Sequence, residues 1–214
     1  MSMLNHFFDY KPEVLALDEK ALELCQPYFK QMEDIRDYNQ LKMLKAFADT
    51  QMSSTDMLGT TGYGLWDTGR AKLEQIFAEV MGAEDALVRS QFQSGTHTLA
   101  VALFGLLRAG DTLLAATGRP YDTLEGVIGI GDAGKGCGTL REFGVNYDEC
   151  PLLPDFTPDY DLIAEKARTA TVVHIQRSRG YTQRNAFDLA TIQKVADTAR
   201  KANPNAVIFV DNCY

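Results

Sequence analysis

The sequence predicts an α/β protein with a mostly parallel sheet, preceded by a helical arm. Three observations carry that expectation. Short runs rich in Val and Ile, such as TVVHIQ and AVIFVD, alternate with stretches of helical spacing, as in sheets covered on both faces by helices. Near residue 50 a sustained helical period gives way to a turn-rich segment. The length of 214 residues, 45% of them hydrophobic, suffices for one full core plus an arm.

The elements follow in order. From about Leu17 to Ala48, apolar residues at Leu24, Tyr28, Met32 and Ile35, then Leu41, Leu44 and Phe47, recur at helical spacing. They predict a helical arm or hairpin within residues 1–58. TQMSSTDMLGTTGYGLWDTGR then holds four glycines and no period, and so long a loop in a globular chain is functional or disordered. Residues 59–214 form the main domain. There a helix near Arg70 to Met81 leads to a strand at ALVR, and a helix from Gly95 to Leu107 leads to a strand at TLLAA. A helix through YDTLEGVIG precedes a strand around FGVNY, and a helix near Asp161 to Arg168 precedes the strand TVVHIQ. A helix from Leu189 to Ala202 and the strand AVIFVD complete the series.

Composition removes several functions. A net charge of −8, with the 21 Lys and Arg scattered, argues against a nucleic-acid partner. No apolar stretch approaches the roughly 20 residues that span a bilayer, and MSMLNHFFDYKPE lacks the basic-then-apolar order of a signal peptide. The expectation is a cytoplasmic protein without membrane contact. The four cysteines, Cys25, Cys137, Cys150 and Cys213, have no metal-binding spacing, so neither a metal site nor disulfides are expected.

One motif invites a nucleotide reading. GIGDAGKGCG satisfies G-x-G-x-x-G at Gly129, Gly131 and Gly134 and misses the phosphate-loop pattern because Gly136 follows Lys135. Such a cluster must leave a strand and open a helix, so that free N–H groups meet the phosphates. This one follows the helical TLEGVIGI and runs into GTLREFGV, too short for a helix. It reads as a mobile surface loop.

The required context occurs in ALVRSQFQSGTHTLAVALFGLLRAGD, where Ser94, Gly95, Thr96 and His97 follow a strand and open an apolar helix. Ser94 suits an N-cap, Gly95 admits a ligand to the backbone, and Thr96 adds a hydroxyl beside free amides. Taken alone, these residues describe an ordinary capped helix equally well. Asp211 ends the strand AVIFVD, and ligands of open parallel sheets sit beyond such strand ends, although a lone Asp there is more often a cap or turn former. Tyr121 follows another strand end, where its ring could lie on a ligand or merely staple the next helix.

Together, a phosphate cup, an aromatic ring and a strand-end aspartate are the parts a pyridoxal 5'-phosphate enzyme needs. GYGLWDTGRAKLEQIFAEVMGAEDALVR, QSGTHTLAVALFGLLRAGD, TGRPYDTLEGVIG, VVHIQRSRGYTQR and VIFVDNCY resemble, in this order, the methionine gamma-lyase-like family often labelled aluminium resistance proteins. These are fold-type I pyridoxal phosphate proteins related to the cystathionine lyases. The resemblance implies that Ser94, Gly95 and Thr96 bind the phosphate, Tyr121 stacks on the ring and Asp211 pairs with the pyridine nitrogen. It implies a homodimer or homotetramer with shared sites, in which Tyr63 reaches the neighbour's phosphate; the Tyr-x-Arg pattern of relatives has Leu65 in the arginine's place here. Arg177 and Arg179 become candidates for the carboxylate of an amino-acid substrate.

The family's imine-forming lysine lies downstream of the strand ending in this aspartate, and none of the ten lysines here has that position. The resemblance therefore implies an incomplete large domain, with the small C-terminal domain absent. Three functions fit: a carbon–sulfur lyase acting on a sulfur amino acid such as methionine or cystathionine, another pyridoxal phosphate reaction such as aldol cleavage or transamination, or a non-catalytic truncated domain.

Overall fold

A computed structural model describes residues 7–61 and 67–213, and the contacts among them divide the chain into two compact units, Met1–Ser90 and Gln91–Tyr214. The boundary expected at residue 58 falls inside the first unit.

The first unit is helical. Helix α1 runs unbroken over Pro12–Asp49, so the arm is one long helix and not a hairpin. Pro12 suits the first turn, where its missing N–H would have no partner, and Pro27 deletes only one hydrogen bond further in. The helical period is confirmed, but Leu24, Tyr28, Met32 and Ile35 are exposed, and Ala46 is the helix's only buried residue. A 3₁₀ turn at Ser54–Met57 leads towards α2, Thr68–Met81. The Asp56 carboxylate ties this corner by accepting hydrogen bonds from Thr68 Oγ1 at 2.7 Å and Lys72 Nζ at 2.8 Å, which hold it well below the usual carboxylate range.

The strand expected at ALVR does not form. Val88 N–H donates to Glu74 Oε1 at 3.0 Å and Arg89 pairs with the same carboxylate, so a side chain of α2 takes the place of a neighbouring strand.

The second unit carries the sheet. Helix α3 (Gly95–Leu106) precedes β1 (Thr112–Ala115), and α4 (Asp122–Ile128) precedes β2 (Asn146–Glu149). Helix α5 (Tyr160–Ala167) precedes β3 (Val172–Gln176), and α6 (Leu189–Ala202) precedes β4 (Val207–Asp211). The four strands are parallel in the order β2-β1-β3-β4. Strand side chains alternate between faces, so two cores arise. Leu114, Val173 and Ile175 pack with Ile163 and Val195 on the α5/α6 face, whereas Leu113 and Val172 pack with Leu103 and Leu124 on the α3/α4 face. All five residues of β3 are buried, which is why TVVHIQ shows no alternation.

β2 starts later than FGVNY suggested. Gly144, at φ +84°, closes a turn with Phe143, and pairing begins only at Asn146 opposite Thr112. NYDE lies at the sheet's edge and is polar, so Phe143 supplied an apolar signal that the strand does not contain.

The glycine cluster joins α4 to β2 as a series of turns and not as a loose loop. Gly129, Gly131, Gly134, Gly136 and Gly138 all have positive φ, and a Cβ at Gly134 would stand 2.2 Å from Gly126 O. The N–H groups of Gly136, Gly138 and Thr139 converge at 2.6, 2.9 and 3.0 Å on the Glu142 carboxylate. The loop thus surrounds an anion carried by the chain itself, and that disposes of the nucleotide reading. Those N–H groups hold the Glu142 carboxyl below its ordinary value. A carboxyl depressed in the folded state adds stability above its unfolded value and loses it as pH falls through the folded one. Glu142→Gln is therefore expected to lower the melting temperature at pH 7, with the difference from the parent closing in a series run below about pH 4.

Candidate active site

Four chain segments meet beyond the carboxyl edge of the sheet, the place where open parallel sheets bind ligands. The start of α3, the turn after β1, the turn after β3 and the end of β4 line a cleft of about 810 Å³. Gly95, Thr96, Tyr121, Arg179 and Asp211 all border it.

The α3 end is built as a cap. Ser94 is extended, and its Oγ accepts the His97 N–H at 3.1 Å, which engages the expected cap residue in holding the helix start rather than in lining the cleft. The first-turn N–H groups of Gly95 and Thr96 have no carbonyl to meet within the helix. A Cβ at Gly95 would meet nothing within 4 Å, so the glycine leaves space over these donors instead of relieving a clash. Thr96 Oγ1 lies 2.9 Å from Tyr121 Oη and 2.8 Å from Thr123 Oγ1, which joins the cup to the aromatic side chain.

At the opposite wall Asp211 is only 6% exposed. Its Oδ1 accepts the Cys213 N–H at 3.2 Å, and among the described residues its carboxylate has no ion pair. Burial raises the carboxyl above its ordinary value, opposed by that N–H. A buried carboxylate without a cation is costly and suits a ligand that brings a protonated nitrogen. Of the two arginines, only Arg179 reaches the cleft. Arg177 does not border it, and donates to Phe187 O at 3.3 Å and Asn212 Oδ1 at 3.0 Å. Tyr63 lies outside the described residues.

Comparison with known proteins gives this arrangement its relatives. The family model for methionine gamma-lyase matches residues 14–214. The chain belongs to the methionine gamma-lyase family. A curated relative, the uncharacterized protein YnbB of Bacillus subtilis (strain 168), is 42% identical over 186 residues, covering 86% of this chain and 44% of the relative. A solved carbon–sulfur lyase involved in aluminum resistance from Clostridium novyi NT is 42% identical, with a TM-score of 0.87 over 95% of this chain and 49% of that one. A solved protein from Clostridium acetobutylicum, assigned as a cystathionine beta-lyase involved in aluminum resistance, is 39% identical, with a TM-score of 0.89 over 99% of this chain and 50% of that one. The chain thus spans about half the length of the relatives it matches.

Beside the residues that line the cleft stand buried polar groups that the sequence did not single out. Gln176, at the end of β3, accepts the Tyr121 N–H on Oε1 at 3.0 Å. Its position at a strand end, like that of Asp211 in β4, was the available signal. Arg184 is buried and donates to backbone carbonyls around the same turn, and nothing in TQRN distinguished it from a surface arginine. His174, two residues back along β3, is 1% exposed, its Nε2 has no hydrogen-bond partner among the described residues, and burial lowers it to about pKa 4. Among the described residues no group of His, Cys, Asp and Glu could hold a metal, and no helix is long and apolar enough to cross a membrane.

The raised Asp211 carboxyl has a sign that can be checked. Because its folded value lies above its unfolded value, its favourable contribution is complete below about pH 4 and is lost as pH rises through the folded value. Asp211→Asn is expected to raise the melting temperature of the ligand-free chain at pH 7.5, by roughly 1 to 3 °C for a domain of this size. Differential scanning calorimetry should show the gain shrinking towards pH 4.

Proposed function

We propose that the parent of this chain is a fold-type I, pyridoxal 5'-phosphate-dependent carbon–sulfur lyase that eliminates a thiol from a sulfur amino acid. The observation that carries this reading is the meeting, in one cleft, of the open α3 start, the Tyr121 ring and a buried carboxylate without a cation. The first two together suit a phosphorylated aromatic ligand, and the third suits one with a basic ring nitrogen. When bound, the cofactor supplies a ring that takes up the electron pair released at the substrate's α carbon.

In this reading the Gly95 and Thr96 N–H groups and the Thr96 hydroxyl hold the phosphate, with Ser94 fixing the helix start that presents them. Tyr121 lies against the ring face. Asp211 holds a proton at the ring nitrogen, and the low-dielectric wall around it strengthens that interaction. Arg179 is placed to meet the substrate carboxylate, a task suited to a guanidinium fork. No lysine borders the cleft among the described residues, so the lysine this chemistry uses is assigned to the parent outside these 214 residues. The relatives named as carbon–sulfur lyases and cystathionine beta-lyases support this reaction class over transamination or aldol cleavage.

The test is made on the parent. It should show the visible absorbance of lysine-bound pyridoxal phosphate and release thiol and keto acid from a sulfur amino acid. Asp211→Asn should retain most of the cofactor and lose at least about tenfold to a hundredfold in turnover, the worth of one charge-assisted hydrogen bond of roughly 1.5–3 kcal/mol. Full turnover in that variant would remove Asp211 from the ring nitrogen.

The assembly proposed with this function is a two-fold oligomer in which Tyr63 completes the neighbour's site. Mixing parent subunits carrying Tyr63→Phe with subunits carrying Asp211→Asn tests it. Hybrid dimers with shared sites contain one site with both lesions and one with neither, so activity should partly return. Proven subunit exchange without recovery would place Tyr63 in its own subunit's site or in none.

A further inference from the structure

The turn that follows β3 is held by an unusual anchor. Arg184 is 4% exposed, and its guanidinium donates to Gln176 O at 3.1 Å, Asn185 O at 2.9 Å, Arg177 O at 3.3 Å and, in a shorter contact, Ser178 O. Its flat face covers the Phe187 ring at 4.0 Å. No carboxylate pairs with it among the described residues, and burial lowers its proton affinity. A buried cation bonded to neutral carbonyls alone is a costly way to stabilise a turn, so what the turn positions matters.

What it positions is Gln176, itself 5% exposed. The Gln176 main chain is fixed on both sides, with its N–H donating to Thr117 Oγ1 at 2.9 Å and its carbonyl accepting from Arg184. Its side chain then spans two strand ends, since Nε2 donates to Ser178 O at 3.2 Å and Oε1 accepts the Tyr121 N–H at 3.0 Å. Gly180, at φ +56°, lies beside this pair, where a Cβ would make ordinary contacts of 3.4 Å with Gln176 Nε2 and 3.6 Å with Tyr121 Cβ. From Tyr121 the chain of contacts continues through Oη to Thr96 in the α3 cup. The backbone of the cleft's aromatic residue is thus held by a side chain from β3, while its hydroxyl is held by α3.

We propose that Gln176, locked by Arg184, is the positioning residue of the cleft, fixing the height and tilt of Tyr121 between the α3 cup and Asp211. The proposal concerns the geometry of Tyr121 in this chain, and its consequence for a stacked ring rests on the cofactor reading above. Gln176 does not reach the reacting atoms. It acts through the Tyr121 backbone, and it matters because a ring stacked on a ligand must keep its plane to a few tenths of an ångström to retain contact.

Two measurements on the 214-residue chain separate the possibilities. The variants are Gln176→Leu, which removes the acceptor at similar size, and Gln176→Glu, which keeps an acceptor for the Tyr121 N–H. Amide hydrogen exchange without any ligand should show Tyr121 exchanging at least about tenfold faster in Gln176→Leu, with Val173 and Ile175 in β3 unchanged, and Gln176→Glu restoring most of the protection. Pyridoxal phosphate is then titrated into each protein and followed by the circular dichroism induced in its absorption band. Gln176→Leu should bind about fivefold to thirtyfold more weakly with a smaller induced signal, and Gln176→Glu should recover part of both. An unchanged Tyr121 amide in Gln176→Leu overturns the proposal. So does wild-type affinity and dichroism in a Gln176→Leu protein whose Tyr121 amide has become exposed. If the wild-type chain binds no pyridoxal phosphate, the cofactor reading suffers and the exchange data alone still decide whether Gln176 holds Tyr121.

Discussion

The parallel pairing of β3 with β4, which sets Gln176 opposite Asp211, is the constraint on which the cleft depends. Paired residues of parallel strands point to the same face, so one register places the tie to Tyr121 and the buried carboxylate side by side. A slip of β4 by one residue would turn Asp211 towards the α5/α6 face while Gln176 stayed in place, and would part the two. The register is secured below by β3, whose five residues are all buried, with Val173 and Ile175 in the core shared with Ile163 and Val195. Hydrophobic packing on one face thus determines polar chemistry on the other.

Much of this was legible in the sequence, and the misses have physical causes. β3 was visible because a buried parallel strand is a continuous apolar run, β4 because VIFV is apolar throughout although its side chains stay partly exposed, and α3 because Ser94 and Gly95 mark a cap ahead of an apolar helix. ALVR has strand composition but no partner strand, and a side chain, Glu74, satisfies Val88 N–H. β2 was misplaced because an edge strand of NYDE carries no hydrophobic signal, whereas the turn residue Phe143 does. Gly95, Thr96, Tyr121 and Asp211, singled out because they open a helix, follow a strand or end one, do border one cleft. Arg177 and Arg179 could not be separated in advance. Two residues apart in a turn, they are sent to different environments by hydrogen bonds that only the folded turn defines.

The glycine cluster makes the same point from the opposite side. Its spelling suggested an external phosphate, yet the chain supplies its own anion, and the N–H groups of Gly136, Gly138 and Thr139 are occupied by Glu142. A motif of this kind reports that backbone donors converge, not what they converge on. The α3 start differs in this one respect. Ser94 satisfies the His97 N–H, Thr98 bonds back to the Ser94 carbonyl, the space a Cβ would take at Gly95 is open, and no side chain of the described residues bonds to the Gly95 and Thr96 N–H groups.

The two buried charges of the second unit separate structure from function. Among the described residues Arg184 has no counter-ion, but four carbonyls meet its two Nη groups and an aromatic ring its face, so it serves as a fixed strut. Among the described residues Asp211 has no counter-ion either, a single N–H engages its side chain, and it borders the cleft. Burial therefore leaves Asp211 with a free energy cost that a suitable ligand can relieve, whereas the cost at Arg184 is already met within the fold. Two residues of nearly equal exposure thus take opposite roles. What decides between them is how many of their hydrogen-bonding positions the folded chain leaves open.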